Sequence, residues 1–224
     1  MIIAKFISVI ILGYLIGSIP FGVLIGKLTT GKDVRKFGSG KMGATNVMRT
    51  AGRKAAAIVA LLDVLKGVLP VIFAGLIIKN DFLIIGHVGM GMLVGQVLAA
   101  LAAMLGHNWP VFLKFHGGRG VATFFGGLVA LCPVAGIFGG EVLIIGAGLT
   151  KFASFGSIAG TVGAYSILIP LTIIDGLPLI YLSYALIGGI IIIIMHRDNI
   201  VRLFKGKERK LGEKASTENS STQL

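Results

Sequence analysis

The chain has 224 residues, 55% of them hydrophobic and only 13% charged, with a mean hydropathy of +0.93. A charged fraction about half that of soluble domains excludes an ordinary globular protein, and continuous rather than alternating apolar runs exclude a transmembrane β-barrel. The net charge of +12 would suit nucleic acid if it were spread out, but 18 of the 21 Lys and Arg residues fall within 27–54, 112–120, Lys151 and 197–214. Positive charge confined to a few loops marks a multi-pass membrane protein, whose natural partners are lipid headgroups and phosphorylated ligands, not nucleic acid.

In chain order, Ile2 to Leu24 reads as a first span, retained because no small-residue cleavage site follows it. Pro20 and Gly22 loosen its inner end. A polar loop, 27–54, leads to a second span, Ala55 to Ile78. A turn at 79–81 precedes the third span, Phe82 to Leu105, and Gly106 to Gly120 returns to the side of the first loop. Val121 to Leu149 carries one charge, Glu141, read as lying at the outer end of its helix. A single crossing here would place the basic tail after Met195 outside, so parity asks for two crossings, broken near Cys132-Pro133 or Gly139-Gly140. Ile158 to Ile174 and Leu177 to Met195 complete the pattern. The expected fold is all-α and integral to the membrane, with seven transmembrane helices, the N-terminus outside and the C-terminus cytoplasmic. Residues 1–211 form one domain, and 212–224 form a polar tail expected to be disordered. The 34 glycines fit close helix packing, and the single Cys132 allows no intrachain disulfide.

Four polar segments then share the cytoplasmic side. In the first, glycines 38, 40 and 43 let backbone N–H groups approach a ligand, beside Ser39, Thr45, Asn46 and Arg49. In the second, Gly117, Gly118 and Gly120 surround Arg119 just before a helix, where free N–H groups and a guanidinium suit an anion. Thr150 to Ser154 is a short third connector. The fourth leaves the last span with His196, Asn199 and Arg202 at helical spacing on one face. One glycine-rich basic loop is ordinarily a tight turn with a topology signal. Two of them facing a His/Asn/Arg terminus point to a phosphate site. Asp63 and Lys66, three apart within the second span, pair either as a structural ion pair or as support for a ligand-binding cation. His87 and His107 read as packing or interfacial residues, and Trp109 as an interface anchor. No His/Cys/Asp/Glu cluster has metal spacing and no P-loop is present, so neither metal nor cofactor is expected.

These segments together resemble the bacterial acyl-phosphate:glycerol-3-phosphate acyltransferases. Gly38 to Arg49 is similar to their first cytoplasmic motif, Gly117 to Thr123 to the second, and His196 to Leu203 with Gly206 and Glu208 to the third. The similarity extends to Gly17–Gly22, Leu62–Gly67 and Lys151–Ser154, and so covers most of 13–210. The resemblance implies a seven-helix inner-membrane enzyme of phospholipid synthesis with its active site on the cytoplasmic side. Its reaction would move a fatty acyl group from acyl-phosphate to the sn-1 hydroxyl of glycerol 3-phosphate. The products would be 1-acyl-glycerol 3-phosphate (lysophosphatidic acid) and phosphate, and another acyltransferase would supply the acyl-phosphate. By resemblance, Ser39, Arg49, His196 and Asn199 hold glycerol 3-phosphate, with His196 and Asn199 nearest the chemistry. Thr45, Gly117, Gly118, Arg119 and Ser154 cradle the acyl-phosphate, Asn46 completes the first substrate-binding loop, and Glu208 organises the basic surroundings. Three positions depart from the family pattern: Arg119 and His116 stand where lysine is usual, and Lys41 where asparagine is usual. Arginine at 119 keeps the charge but turns a point cation into a fork. The rival class is a transporter or channel for a phosphorylated solute. It should carry polar groups at mid-membrane on several helices, where only Asp63, Lys66 and Gln96 qualify.

Overall fold

Proline and glycine set where the apolar runs bend and stop. A computed structural model describes residues 2–85 and 88–213; His87 and residues 214–224 of the expected tail lie outside them. Helix α1 (Ile2–Ser18) breaks at Ile19-Pro20, because proline has no N–H to continue the ladder, and α2 (Phe21–Thr30) resumes directly. It stops at Gly31, whose left-handed backbone (φ 72°) donates its N–H to the Lys27 carbonyl. Helix α3 (Ala44–Ile78) starts eleven residues before the expected Ala55, and Gly52 (φ 89°) interrupts it after two turns.

The expected span from Phe82 is shorter than the sequence suggests. Leu83–Ile85 (β1) and Val88–Met90 (β2) pair antiparallel, Leu83 opposite Met90, and α4 (Met92–Asn108) begins only after them. Branched residues followed by Gly89 and Gly91 favour a hairpin over a helix start. Lys5 pairs with Asp81 at 2.7 Å at this end of the bundle.

The long run after Gly120 divides at Cys132-Pro133 into α5 (Val121–Leu131) and α6 (Pro133–Thr150), proline occupying the first turn of α6. The chain reverses there, since a Cβ on Gly136 would meet the backbone of Val129 and one on Gly139 the ring of Phe125. Glu141 therefore sits half-way along α6 on an exposed face, not at its outer end. Helices α7 (Ala153–Ile173) and α8 (Leu179–Met195) follow. Helix α9 (Arg197–Phe204) leaves α8 at a bend of 61°.

Among the described residues, five helical segments are long and apolar enough to cross a membrane: Ile2–Thr30, Ala44–Ile78, Met92–Leu113, Pro133–Thr150 and Ala153–Ile173. Helix α8 with its bent continuation makes a sixth. Helix α5 is 11 residues, about 16 Å, against a hydrocarbon core of about 30 Å.

Small residues let these helices touch backbone to backbone. Gly13 and Gly17 of α1 lie on the backbones of Ala99 and Ala103 in α4, and Gly67 of α3 lies on the Thr123 carbonyl of α5. A shared apolar core gathers Phe124, Leu128, Leu168 and Ile192. In it Phe124 stacks on Tyr184 at 5.3 Å, and the Tyr184 hydroxyl donates to the Phe124 carbonyl at 2.9 Å. Gly67→Val should therefore force α5 off α3 and cost about 1–3 kcal/mol. Gly140→Ala, with open space around it, should be neutral or stabilising by up to about 1 kcal/mol. Thermal unfolding of the two variants in detergent separates them.

Candidate active site

The loop before α3 is built around one side chain. Asn46, 2% exposed, donates its amide N–H groups to the carbonyls of Val34 and Lys41, both at 2.8 Å, and accepts from the Ser39 N–H at 2.9 Å. Gly38 and Gly40, at φ 59° and 69°, supply turns that a side chain would resist. The amide of Asn46 is thus consumed inside the loop, and its part is to shape it. The loop ends at Gly43, which caps α3, so Thr45 and Arg49 fall one turn apart on the same helix face. Arg49 Nη2 donates to the carbonyls of Arg209 and Lys210, at 3.3 and 3.2 Å.

The second loop is pinned to the end of α4. Gly117 N–H donates to the Asn108 carbonyl and Gly118 N–H to the His107 carbonyl, at 3.2 and 3.0 Å. No side chain fits at either glycine: a Cβ at 117 meets the His107 carbonyl, and one at 118 meets the His107 ring. Gly120 (φ 76°) then opens α5. Around this opening lie polar atoms that are buried and without a partner: Arg119 Nε, Thr123 Oγ1 and both amide atoms of Asn108. Buried polar groups are nearly always satisfied, so four unsatisfied atoms beside a helix N-terminus mark a place for a polar ligand. His116, by contrast, is exposed, its Nδ1 against the Lys114 carbonyl at 2.6 Å.

The third wall closes on Glu208. Its Oε1 accepts from Ser154 Oγ (3.0 Å) and from Asn199 Nδ2 (2.6 Å), and its Oε2 from Arg202 Nε (2.8 Å). Those bonds tie α7, α9 and the chain after α9 together, and Leu211 N–H adds a bond to the Lys151 carbonyl at 2.6 Å. Asn199, buried, keeps Oδ1 without a partner. His196, 2% exposed, has Nδ1 at 2.8 Å from the Ile192 carbonyl. A carbonyl only accepts, so Nδ1 carries the hydrogen and Nε2 is left for other partners.

Charge in this region is unbalanced. Burial lowers Arg119 to about 10, with Glu208 raising it and Arg202 and Arg49 pushing it further down. Burial first, and then Arg119, likewise lowers Lys41. Arg119 stays charged at neutral pH. Six cations (Lys41, Arg49, Arg119, Arg197, Arg202, Arg209) face three carboxylates (Asp198, Glu208, Glu213), an excess of positive charge that suits a phosphate. The structure thus brings together Arg49, Arg119, Ser154, His196, Asn199 and Glu208, with Ser39 on the adjoining loop and Thr45 one turn before Arg49 on α3.

The family model described as "Glycerol-3-phosphate acyltransferase" matches residues 7–206. The chain belongs to that acyltransferase family. A relative from Dehalococcoides mccartyi, "Glycerol-3-phosphate acyltransferase 3", is 64% identical over 96% of this chain and its own full length. "Glycerol-3-phosphate acyltransferase" of Synechococcus elongatus is 38% identical over 94% of this chain and 97% of its own. The crystal structure of PlsY, an integral membrane glycerol 3-phosphate acyltransferase, in its glycerol 3-phosphate form, superposes with a TM-score of 0.78 at 36% identity. That match covers 92% of this chain and 94% of the other.

In this acyltransferase, sequence reasoning missed Asn108 and Thr123 as candidate ligand groups. Asn108 falls in the 106–120 segment and Thr123 closes the second motif, but neither is singled out there; only their unsatisfied burial sets them apart. His107 is buried against Asp63, and Trp109 is half-exposed with its carbonyl accepting from Tyr14 Oη at 2.7 Å. Asn46→Asp, nearly isosteric, replaces two donors by an acceptor facing two carbonyls. It should destabilise the 34–46 loop by about 3 kcal/mol or more, and Asn46→Ala by less. Limited proteolysis of the loop, set beside Tm, reads the order of the two.

Proposed function

We propose that this acyltransferase moves a fatty acyl group from acyl-phosphate to the sn-1 hydroxyl of glycerol 3-phosphate, releasing lysophosphatidic acid and phosphate. The observation that carries the reading is the excess of half-buried cations beside unsatisfied donors at one end of an apolar bundle. Both substrates are anions whose mutual repulsion must be neutralised before they can meet, and the acyl chain needs an apolar surface continuous with lipid.

The two phosphates divide between the walls. Glycerol 3-phosphate lies against Ser39, Thr45's neighbour Arg49, His196 and Asn199. The donor phosphate lies in the Gly117–Gly118–Arg119 loop, with Thr45 and Ser154 at its edges. Asn199 has given its N–H to Glu208, so its free Oδ1 can accept only from a donor such as a glycerol hydroxyl. His196 presents Nε2 to the same space and takes the hydroxyl proton as the carbonyl is attacked. Acyl-phosphate is a mixed anhydride with a good leaving group. The hydroxyl oxygen attacks the acyl carbon, the anhydride C–O bond breaks, and phosphate leaves without a covalent enzyme intermediate. Catalysis is chiefly positioning and charge stabilisation.

The membrane arrangement follows the same logic. α1–α2, α3, α4, α6, α7 and α8 cross fully, and α5 is a short seventh pass whose start is sunk below the surface. The N-terminus lies outside and the basic loops face the cytoplasm of a bacterial inner membrane, as the positive-inside rule requires. Acyl-phosphate made by another acyltransferase reaches the site from that side.

Purified protein in detergent should release phosphate from acyl-phosphate only when glycerol 3-phosphate is present; release without the acceptor, or none from folded protein, rejects the reading. Arg119→Ala should raise the donor KM more than tenfold and leave the acceptor KM within about threefold, since one charge-assisted phosphate grip is worth about 1.5–3 kcal/mol. His196→Gln should lower kcat about a hundredfold or more and remove the acid limb of the pH–rate profile, which burial first and the Arg119 charge next push down to about 4. A profile that keeps the parental shape removes proton transfer from His196.

A further inference from the structure

Three buried ionisable groups lie beneath the site without entering it. Asp63, Lys66 and His107 are 2%, 1% and 3% exposed. Lys66 Nζ sits 2.8 Å from Asp63 Oδ1 and donates to the Ile19 carbonyl at 3.0 Å. Ile19 belongs to the break between α1 and α2, where Pro20 interrupts the helix ladder. Three residues on, Gly22 lies directly on the Met42 carbonyl, inside the loop that Asn46 braces. Lys66 therefore holds the seat on which the first loop rests.

The other half of the pair faces the second loop. Asp63 Oδ1 is 3.6 Å from His107 Nδ1. The His107 ring fills the space above Gly118, and its carbonyl accepts the Gly118 N–H. One residue beyond Lys66, Gly67 lies on the Thr123 carbonyl in the first turn of α5. A single ion pair on α3 thus touches the underside of both walls: the one bearing Ser39, Thr45 and Arg49, and the one bearing Gly117, Gly118 and Arg119.

Stability alone is a poor reason for such a pair, because neutral isosteres of buried ion pairs are often as stable or more so. Opposite charges 2.8 Å apart, one of them also donating to a backbone carbonyl and the other within 3.6 Å of an imidazole, do, however, fix distance more tightly than apolar packing. We propose that Asp63, Lys66 and His107 form a positioning network that sets the separation of the two substrate-bearing loops, so that the acceptor hydroxyl meets the acyl carbon. The proposal rests on the acyl-transfer reading above. None of the three lies in either loop, so each loop should still bind its own anion when the network is cut, and only the meeting of the two should suffer.

The test is the full-length double variant Asp63→Asn/Lys66→Met, which removes both charges and keeps most of the volume. Acyl-phosphate and glycerol 3-phosphate are varied separately in detergent, with Tm measured alongside. Expected are a Tm at or above the parental value, both KM values within about threefold, and kcat down ten- to a hundredfold, the size of loss that a small misplacement causes. A parental kcat, or a loss confined to the KM of one substrate, overturns the network. His107→Phe, which keeps a ring over Gly118 but cuts the contact to Asp63, carries the same expectation if the double variant does not fold. Absence of transfer by the parent protein in this assay would count against the acyl-transfer reading instead, so the two failures are distinguishable.

Discussion

Lys41, Arg49, Arg119 and Arg202 stand at one end of an apolar bundle, where cations outnumber the carboxylates Glu208, Asp198 and Glu213 among the described residues. Four like charges repel, and low-dielectric surroundings strengthen the repulsion. The fall of Arg119 to about 10 comes chiefly from burial; Glu208 opposes it, and Arg202 and Arg49 add to it. Everything near the site serves to hold the cations despite their repulsion. Asn46 locks the loop that precedes Arg49, backbone carbonyls of Arg209 and Lys210 take its guanidinium, and Glu208 gathers Arg202, Asn199 and Ser154. A site preorganised in this way does not have to assemble its charges when an anionic substrate arrives.

The depth of the site comes from unequal helices. Helix α6 is 18 residues and α5 only 11, and the two are joined by a sharp reversal at Cys132. At 1.5 Å per residue, α5 begins roughly 10 Å short of the level at which α6 ends. The Gly117–Gly120 loop follows it inward, below the ends of the longer helices. That places the unpartnered donors of Arg119 and Asn108 close to the apolar bundle. Close packing makes the recess possible, since only glycine at 67, 117 and 118 lets α3, α4 and the loop approach so closely.

Much of this was legible in the residues. Clustered basic loops identified the membrane class, and the second glycine-basic loop and the His196/Asn199 segment, read as candidate site walls, come together in the structure. Parity of charge argued for a break in 121–149, and the chain divides at Cys132-Pro133, one of the two places considered. Illegible parts were those where tertiary context overrides local pattern. Hydropathy cannot tell a β-branched hairpin at 83–90 from the start of a span, because both are apolar. It also hid the early start of α3, whose first turns are polar because they face the site. Asn46 looked like a substrate contact, for an amide in a glycine loop suits that part equally well. Only its three carbonyl neighbours reveal a brace.

An acid at the centre of an anion site looks contradictory until the unliganded site is considered. Without Glu208, Arg202 and Arg119 would push apart, and Ser154 and Asn199 would have no fixed direction. With it, Asn199 is oriented: one N–H is given away at 2.6 Å, and its carbonyl oxygen is left buried and unpartnered as an acceptor. One carboxylate thus offsets repulsion, fixes a rotamer and ties the chain after α9 to α7 and α9. Its single negative charge leaves the cluster still in deficit. The substrate's phosphate can complete the balance without having to displace it.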